Sequence, residues 1–194
     1  MNPDQNAPDK KSLSTRQKQS AGLQHIIHPI PPVYDSDSEI LILGSFPSVR
    51  SRETGFFYGH PQNRYWRVVA AVFEDDVPMT VPEKRDFLLR HHIAAWDVIA
   101  SCDIKGSSDA SIKNAVANDL RPILETARIR QIYTNGQTAW KLFSKYTAPV
   151  LGIDAVCLPS TSPANATWSL ERLVEAWNCI NPNDACRGTY FPLQ

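Results

Sequence analysis

Apolar and polar positions along this chain repeat in two periods, and the switches between them lay out its elements. Ile40-Leu41-Ile42-Leu43, within residues 39–43, is a continuous apolar run bounded by Gly44 and Pro47, the pattern of a strand buried on both faces. From Gln62 onward Tyr65, Trp66, Val69, Val72 and Phe73 recur three and four residues apart, which predicts a helix with Pro61 at its start. Thr80 and Glu83 form a capping-box pair, with Pro82 in the first turn, so 80–91 is a second helix. Residues 93–100 read as a strand and 101–111 as a Gly/Ser/Asp loop. Asn118 or Asp119 then caps a helix to about 127, with Pro122 in its first turn. Residues 129–134 form a strand broken by Asn135-Gly136, and 137–146 a helix. A fourth strand spans 153–158, ending at Pro159, and 160–166 form a loop. The terminal helix, 167–180, turns Trp168, Leu170, Leu173, Val174 and Trp177 inward. Four strands alternating with helices predict a doubly wound α/β domain. The loops after Leu43, Thr134 and Leu158 should gather at one edge of its sheet.

Residues 1–25 are polar, without amphipathic period, and are expected to be a disordered tail; 26–194 form a single domain. The segment 26–32, with three prolines, is an extended arm, and 33–38 an acidic loop. A composition of 42% hydrophobic and 21% charged residues is that of an ordinary globular protein. With no apolar run of bilayer length and no secretory signal, the expected place is the cytoplasm, with no membrane partner. The net charge is zero, and the tail's four basic and two acidic residues leave −2 for the rest. That disfavours a protein that coats a polyanion but allows a small basic footprint. Cys102, Cys157, Cys179 and Cys186 form no C-x-x-C pair, so a zinc ribbon or a disulfide framework is not indicated. They read as buried or incidental thiols.

The chemistry concentrates after the first strand. Arg50, Arg52, Arg64 and Arg67 follow it with only Glu53 opposing, interleaved with Phe46, Phe57, Tyr58, Tyr65 and Trp66. The other strand-end loops offer Asn135-Gly136 and Ser160-Thr161-Ser162-Pro163-Ala164-Asn165. The phosphate-loop, dinucleotide and nucleophile-elbow patterns are missing, and the adjoining His91 and His92 cannot share one face as metal ligands. What remains is carboxamides, hydroxyls, aromatics and backbone amides, a set suited to a flat, polar, uncharged ring.

Gly44-Ser45-Phe46-Pro47-Ser48, followed by Gly59-His60-Pro61-Gln62-Asn63-Arg64-Tyr65-Trp66, resembles the first motif of the uracil-DNA glycosylase superfamily. The H-P-x-N-R-aromatic-W form is similar to the mismatch-specific branch. With Gly106-Ser107-Ser108-Asp109 and Leu158-Pro159-Ser160-Thr161-Ser162-Pro163-Ala164-Asn165, the chain most resembles the DNA-deoxyinosine glycosylases, which excise hypoxanthine. The resemblance covers about residues 38–180. It implies a three-layer α/β/α sandwich around a short, mainly parallel sheet. It also implies a monofunctional hydrolase of the N-glycosidic bond, a monomer acting on double-stranded DNA with a deaminated base, without metal or other cofactor.

By the resemblance, Asn63 is the catalytic carboxamide, its oxygen holding a water against the anomeric carbon. The base would be bound by Gly44, Ser45, Phe46 and Pro47, chiefly through the backbone N–H groups of Ser45 and Phe46, and by Asn135, with Tyr58 or Phe57 stacked on it. Ser160, Ser162, Pro163, Ala164 and Asn165 would press into the minor groove and hold a phosphate, with Arg50 and Arg64 on phosphates nearby. Two departures stand out. Ser160 occupies the place where many members carry a histidine, and neither aspartate nor asparagine directly follows Gly44-Ser45. The residues also admit plainer readings: Asn63 as a helix cap, Asn135-Gly136 as a turn, Asp109 as a structural cap, and Asp103 and Lys105 as uncommitted. Two rival functions follow, a uracil or mismatch-specific enzyme of the same fold and a binding module that reads DNA without cutting it.

Overall fold

The first strand of the predicted sheet lies at its centre. The structure, a computed structural model, describes residues 22–182; the expected tail over 1–21, Cys186 and the last residues of the domain lie outside them. Four parallel strands form the main sheet: β2 (Ile40–Gly44), β3 (Ile93–Asp97), β6 (Gln131–Asn135) and β7 (Val156–Leu158), in the order β3-β2-β6-β7. Leu41 pairs with Ala94 on one side and Ile132 on the other. Because side chains alternate across a strand, Ile42 enters one core and Leu41 and Leu43 the other, all fully buried.

Ile42 meets helices α2 (Tyr65–Val72), α3 (Val81–Arg90) and α7 (Leu170–Trp177) through Tyr65, Val69, Phe87, Leu173 and Trp177. Leu41 and Leu43 meet α4 (Arg121–Thr126) and α5 (Gln137–Tyr146) through Ile123 and Phe143. Helices on both faces make the expected three-layer α/β/α sandwich. Each large apolar side chain sealed in these layers contributes roughly 1.5–3 kcal/mol.

Three local expectations change. The predicted strand 93–100 is two: Val98 interrupts it, and β4 (Ile99–Ile104) leaves the main sheet. There β4 lies between β1 (Gln24–Ile27) and β5 (Lys113–Ala117) in an antiparallel sheet. Much of the expected loop 101–111 is therefore strand. Its one-sided burial, with Cys102 and Ile104 inward and Ser101 and Asp103 less buried, hid the period behind a polar composition. Residues 24 and 25, placed in the tail, belong to β1.

A short helix, α1 (Val49–Thr54), was not foreseen; Ser48 caps its start and Gly55, at φ 69°, its end. The helix expected from Gln62 begins at Tyr65. In α5 Trp140 is 39% exposed. Among the described residues no helix is long and apolar enough to cross a membrane.

The strand order places the site. The chain leaves β2 toward β3 on one side, and leaves β6 toward β7 on the other. The loops after β2 and β6 therefore diverge and open a crevice at the carboxyl ends of the strands.

Candidate active site

That crevice is a cleft of about 410 Å³ lined by all three strand-end loops. Its mouth is built around a hydroxyl that the sequence reading did not single out. Thr161 is fully buried. Its backbone N–H donates to Asn135 Oδ1 at 2.9 Å, and its Oγ1 accepts from Asn135 Nδ2 at 2.9 Å. The same hydroxyl donates to Asn63 Oδ1 at 2.9 Å, so one threonine joins both asparagines.

Asn63 Oδ1 also accepts the backbone N–H of Tyr65 at 2.9 Å. An N–H can only donate, so this contact fixes which end of the amide is oxygen. Asn63 is not itself the cap, which is Arg64; it stands one residue ahead, takes the first N–H of α2 and also lines the cleft. One detail of the expectation changes. The oxygen assigned to a water already takes two donors, and among the described residues the amide NH₂ has no hydrogen-bond partner.

Arg64 departs further. Its guanidinium donates to the carbonyls of Thr161, Ser162, Asn165 and Trp168, and its backbone N–H donates to Thr161. The side chain expected on a DNA phosphate instead braces the second loop from within, because converging carbonyls offer a planar fork more than solvent does. Arg52 does similar work at the first loop, donating to the carbonyls of Pro47 and Gly106. Arg50 is exposed and paired with Glu53 at 2.7 Å, outside the cleft lining.

The second loop also holds itself. Ser160 Oγ accepts from the Ser162 N–H, Ser162 Oγ from the Ala164 N–H, and Asn165 Nδ2 donates to the Ser160 carbonyl. Pro163 and Ala164 are left exposed at the rim. Gly136, at φ 98°, lets this loop come close, since a Cβ there would stand 2.8 Å from Ser160 Cβ.

The floor is carboxylate and aromatic. Asp97 ends β3, is only 4% exposed, and its Oδ2 accepts from His28 Nε2 at 2.8 Å. The Ile30 N–H donates to His28 Nδ1, so Nε2 carries the proton. The Asp97 carboxylate lies over Gly44, where a Cβ would stand 2.1 Å from Oδ1, so any larger residue there must displace that carboxylate. Ser45 Oγ donates to Asp109 Oδ2 at 2.6 Å. Burial first, and then Asp97, push the Asp109 carboxyl above the ordinary range, while the Ser45 hydrogen bond opposes them.

Tyr58 stacks on Tyr65 with ring centroids 3.8 Å apart. Its backbone sits at φ 52°, a conformation costing about 1–3 kcal/mol that a non-glycine residue keeps only when its surroundings enforce it. Its buried hydroxyl makes no well-formed hydrogen bond among the described residues, and the Asn135 side chain is the polar group that acts on it. Burial and the facing Asp97 push that phenol's pKa far up, so it stays a neutral donor. Phe57 is packed in the core beside Phe56 and reaches the cleft only as wall; Phe46 packs edge-on to His28.

Gly44, Ser45, Phe46, Pro47, Phe57, Tyr58, Asn63, Asn135, Ser160, Ser162, Pro163 and Ala164 thus share one cleft. Arg50, Arg64 and Asn165 are not in its lining. The sequence reading missed Thr161, Asp97 and His28. Thr161 lay within the Ser160–Asn165 motif; Asp97 was hidden inside the expected strand 93–100, which in the structure ends at this residue, and nothing local marked His28. Among the described residues no cluster of three or more metal-ligating side chains occurs.

The comparisons agree with this architecture. A family model described as the uracil DNA glycosylase superfamily matches residues 31–181. Two relatives named "Hypoxanthine DNA glycosylase" are similar over most of both chains. The one from Methanosarcina acetivorans is 34% identical over 155 residues, 77% of this chain and 94% of its own. The one from Methanosarcina barkeri is 31% identical over 149 residues, 76% and 92%. A solution NMR structure of a Methanosarcina acetivorans chain assigned to uracil DNA glycosylase superposes with a TM-score of 0.68 at 31% identity, covering 80% of this chain and 98% of that one. With the matched model spanning both strand-end motifs and every loop of the cleft between them, the chain belongs to the uracil DNA glycosylase superfamily.

Proposed function

We propose that this protein is a monofunctional DNA glycosylase that hydrolyses the bond between deoxyribose and a deaminated base, hypoxanthine first, after the base has been flipped out of a duplex. The observation that carries this reading is the Asn63–Thr161–Asn135 bridge, which locks the first and second motif loops across one cleft. The cleft is of the size that encloses a small flat ligand, and Tyr58 offers an aromatic face within it. The names of the two curated relatives support hypoxanthine as the first base.

In this reading the everted base enters between the loops and Asn63 faces the sugar. With its oxygen occupied, Asn63 works through its NH₂, holding the oxygen of the attacking water or a lone pair of the departing base. The Ser45 and Phe46 backbone amides and the Asn135 carboxamide meet the polar edge of the ring. Ser160, Ser162, Pro163 and Ala164 form the rim that faces the duplex, with Asn165 supporting it and Arg50 free to swing to a phosphate. The protein acts as a monomer and needs no cofactor.

Release of free hypoxanthine from a duplex bearing one deoxyinosine, followed under single-turnover conditions, tests the activity. Asn63→Ala should slow release about 100- to 1,000-fold, the usual effect of removing one transition-state donor, with DNA affinity largely kept. Undiminished release by that variant overturns the role of Asn63. Parallel duplexes carrying uracil or xanthine rank the bases, and cutting of uracil alone would overturn the preference for hypoxanthine.

A further inference from the structure

The floor of the cleft holds a carboxylate whose hydrogen bonding is half complete. Asp97 Oδ2 is taken by His28, and both side chains are buried, 3% and 6% exposed. The fixed tautomer of His28 makes that ring a donor, so Asp97 Oδ2 is the acceptor of the pair. Oδ1 has no hydrogen-bond partner among the described residues; it lies over Gly44 and borders the cleft. The hydroxyl of Tyr58, without a well-formed hydrogen bond among the described residues, stands near the same point, 3.6 Å from where a Gly44 Cβ would be. An acceptor that faces the cleft with no protein donor on it is open to a donor supplied by a ligand.

We propose that Asp97 reads the inner edge of the flipped base by accepting its ring N–H, and so separates deaminated bases from the amino bases that give rise to them. The inference rests on the proposed function. Hypoxanthine carries N1–H beside O6, whereas adenine presents a lone pair at N1 beside an amino group. Uracil and cytosine differ in the same way at N3. An aspartate oxygen accepts the N–H of the first kind of edge and meets only a lone pair at the same place in the second, and the neutral Tyr58 hydroxyl is a donor suited to the neighbouring carbonyl. Guanine and thymine also carry a ring N–H, so Asp97 does not exclude them. The strand-end position of Asp97 puts it at the floor, on the base, while Asn63 at the mouth serves the sugar.

The test compares single-turnover excision of hypoxanthine and N1-methylhypoxanthine from otherwise identical duplexes. The unaltered protein should cut the methylated base roughly 10- to 100-fold more slowly, the usual range for losing one well-placed base contact. In Asp97→Asn the hypoxanthine rate should fall by a similar factor. In Asp97→Ser, which vacates the space, the two bases should be cut at rates within about threefold of each other. Equal cutting of both bases by the unaltered protein overturns the inference, whatever the variants do, so a variant that fails to fold leaves it falsifiable. Variants that lose rate equally on both bases, with the preference intact, also overturn it, since the carboxylate would then serve the nucleophile or only support His28. If the unaltered protein releases no hypoxanthine at all, the proposed function fails and the inference with it. Release that ignores N1 methylation sinks the inference alone.

Discussion

The mouth and the floor of the cleft solve opposite problems. At the mouth, the polar groups that position Asn63 are mutually satisfied: Thr161 serves two carboxamides, and one guanidinium collects four carbonyls. At the floor, among the described residues, Asp97 Oδ1 takes no donor and the Tyr58 hydroxyl makes no well-formed hydrogen bond, and Tyr58 holds an unfavourable backbone conformation. A satisfied network costs nothing further to keep and fixes geometry in advance, while an unsatisfied one holds free energy that a fitting ligand releases. The difference teaches that positioning and recognition are separate jobs in this fold, placed about different strand ends.

Breaking the mouth should show the largest effect. Arg64→Ala leaves the carbonyls of 161, 162, 165 and 168 without their common donor. Stability should fall by about 3 kcal/mol, at the upper end for a buried group left unsatisfied. A urea melt checks this, and a midpoint equal to that of the parent would show that the second loop stands without the arginine. The base-excision rate should fall with it, because the loop carries Thr161.

Thr161→Val keeps the shape and removes the hydroxyl. Asn63 then loses a donor and Asn135 Nδ2 its acceptor, a change of about 1–3 kcal/mol. Thr161→Ser should restore both contacts and most of the excision rate. If valine and serine behave alike in single-turnover assays, the bridge does not position Asn63.

The smallest effect sharpens the floor. Burial raises the Asp109 carboxyl above its unfolded value, so the folded chain holds this proton more tightly than the unfolded one. Its stabilising share is present in acid and is lost as pH rises through the raised folded value. Asparagine does not titrate. The melting temperature of Asp109→Asn minus that of the parent should therefore rise with pH above the ordinary carboxylate range. A difference flat in pH would show that Asp109 ionises in the fold as freely as in water.

Much of the fold was legible in advance, for local reasons. Ile40 to Leu43 is apolar without a break because β2 is covered on both faces, and such a run states its own burial. Thr80 and Glu83 cap α3 as their spacing demands. The sheet built on β1, β4 and β5 was not legible, because its strands mix polar and apolar residues and gain their order only from one another. One of the two antiparallel partners of β4, β1, lies far back in the chain, beyond the reach of any local pattern.

The same division runs through the site. Sequence alone determined the loops at the strand ends, the glycine beside β2 and the asparagine ahead of α2, because turns, caps and close approaches are set by neighbouring residues. Only the tertiary structure decided which end of the Asn63 amide faces the cleft, that Arg64 turns inward, and that His28 reaches Asp97 across 69 positions. Charges and hydrogen bonds choose partners by distance in space, and that distance exists only once the two cores have closed around the sheet.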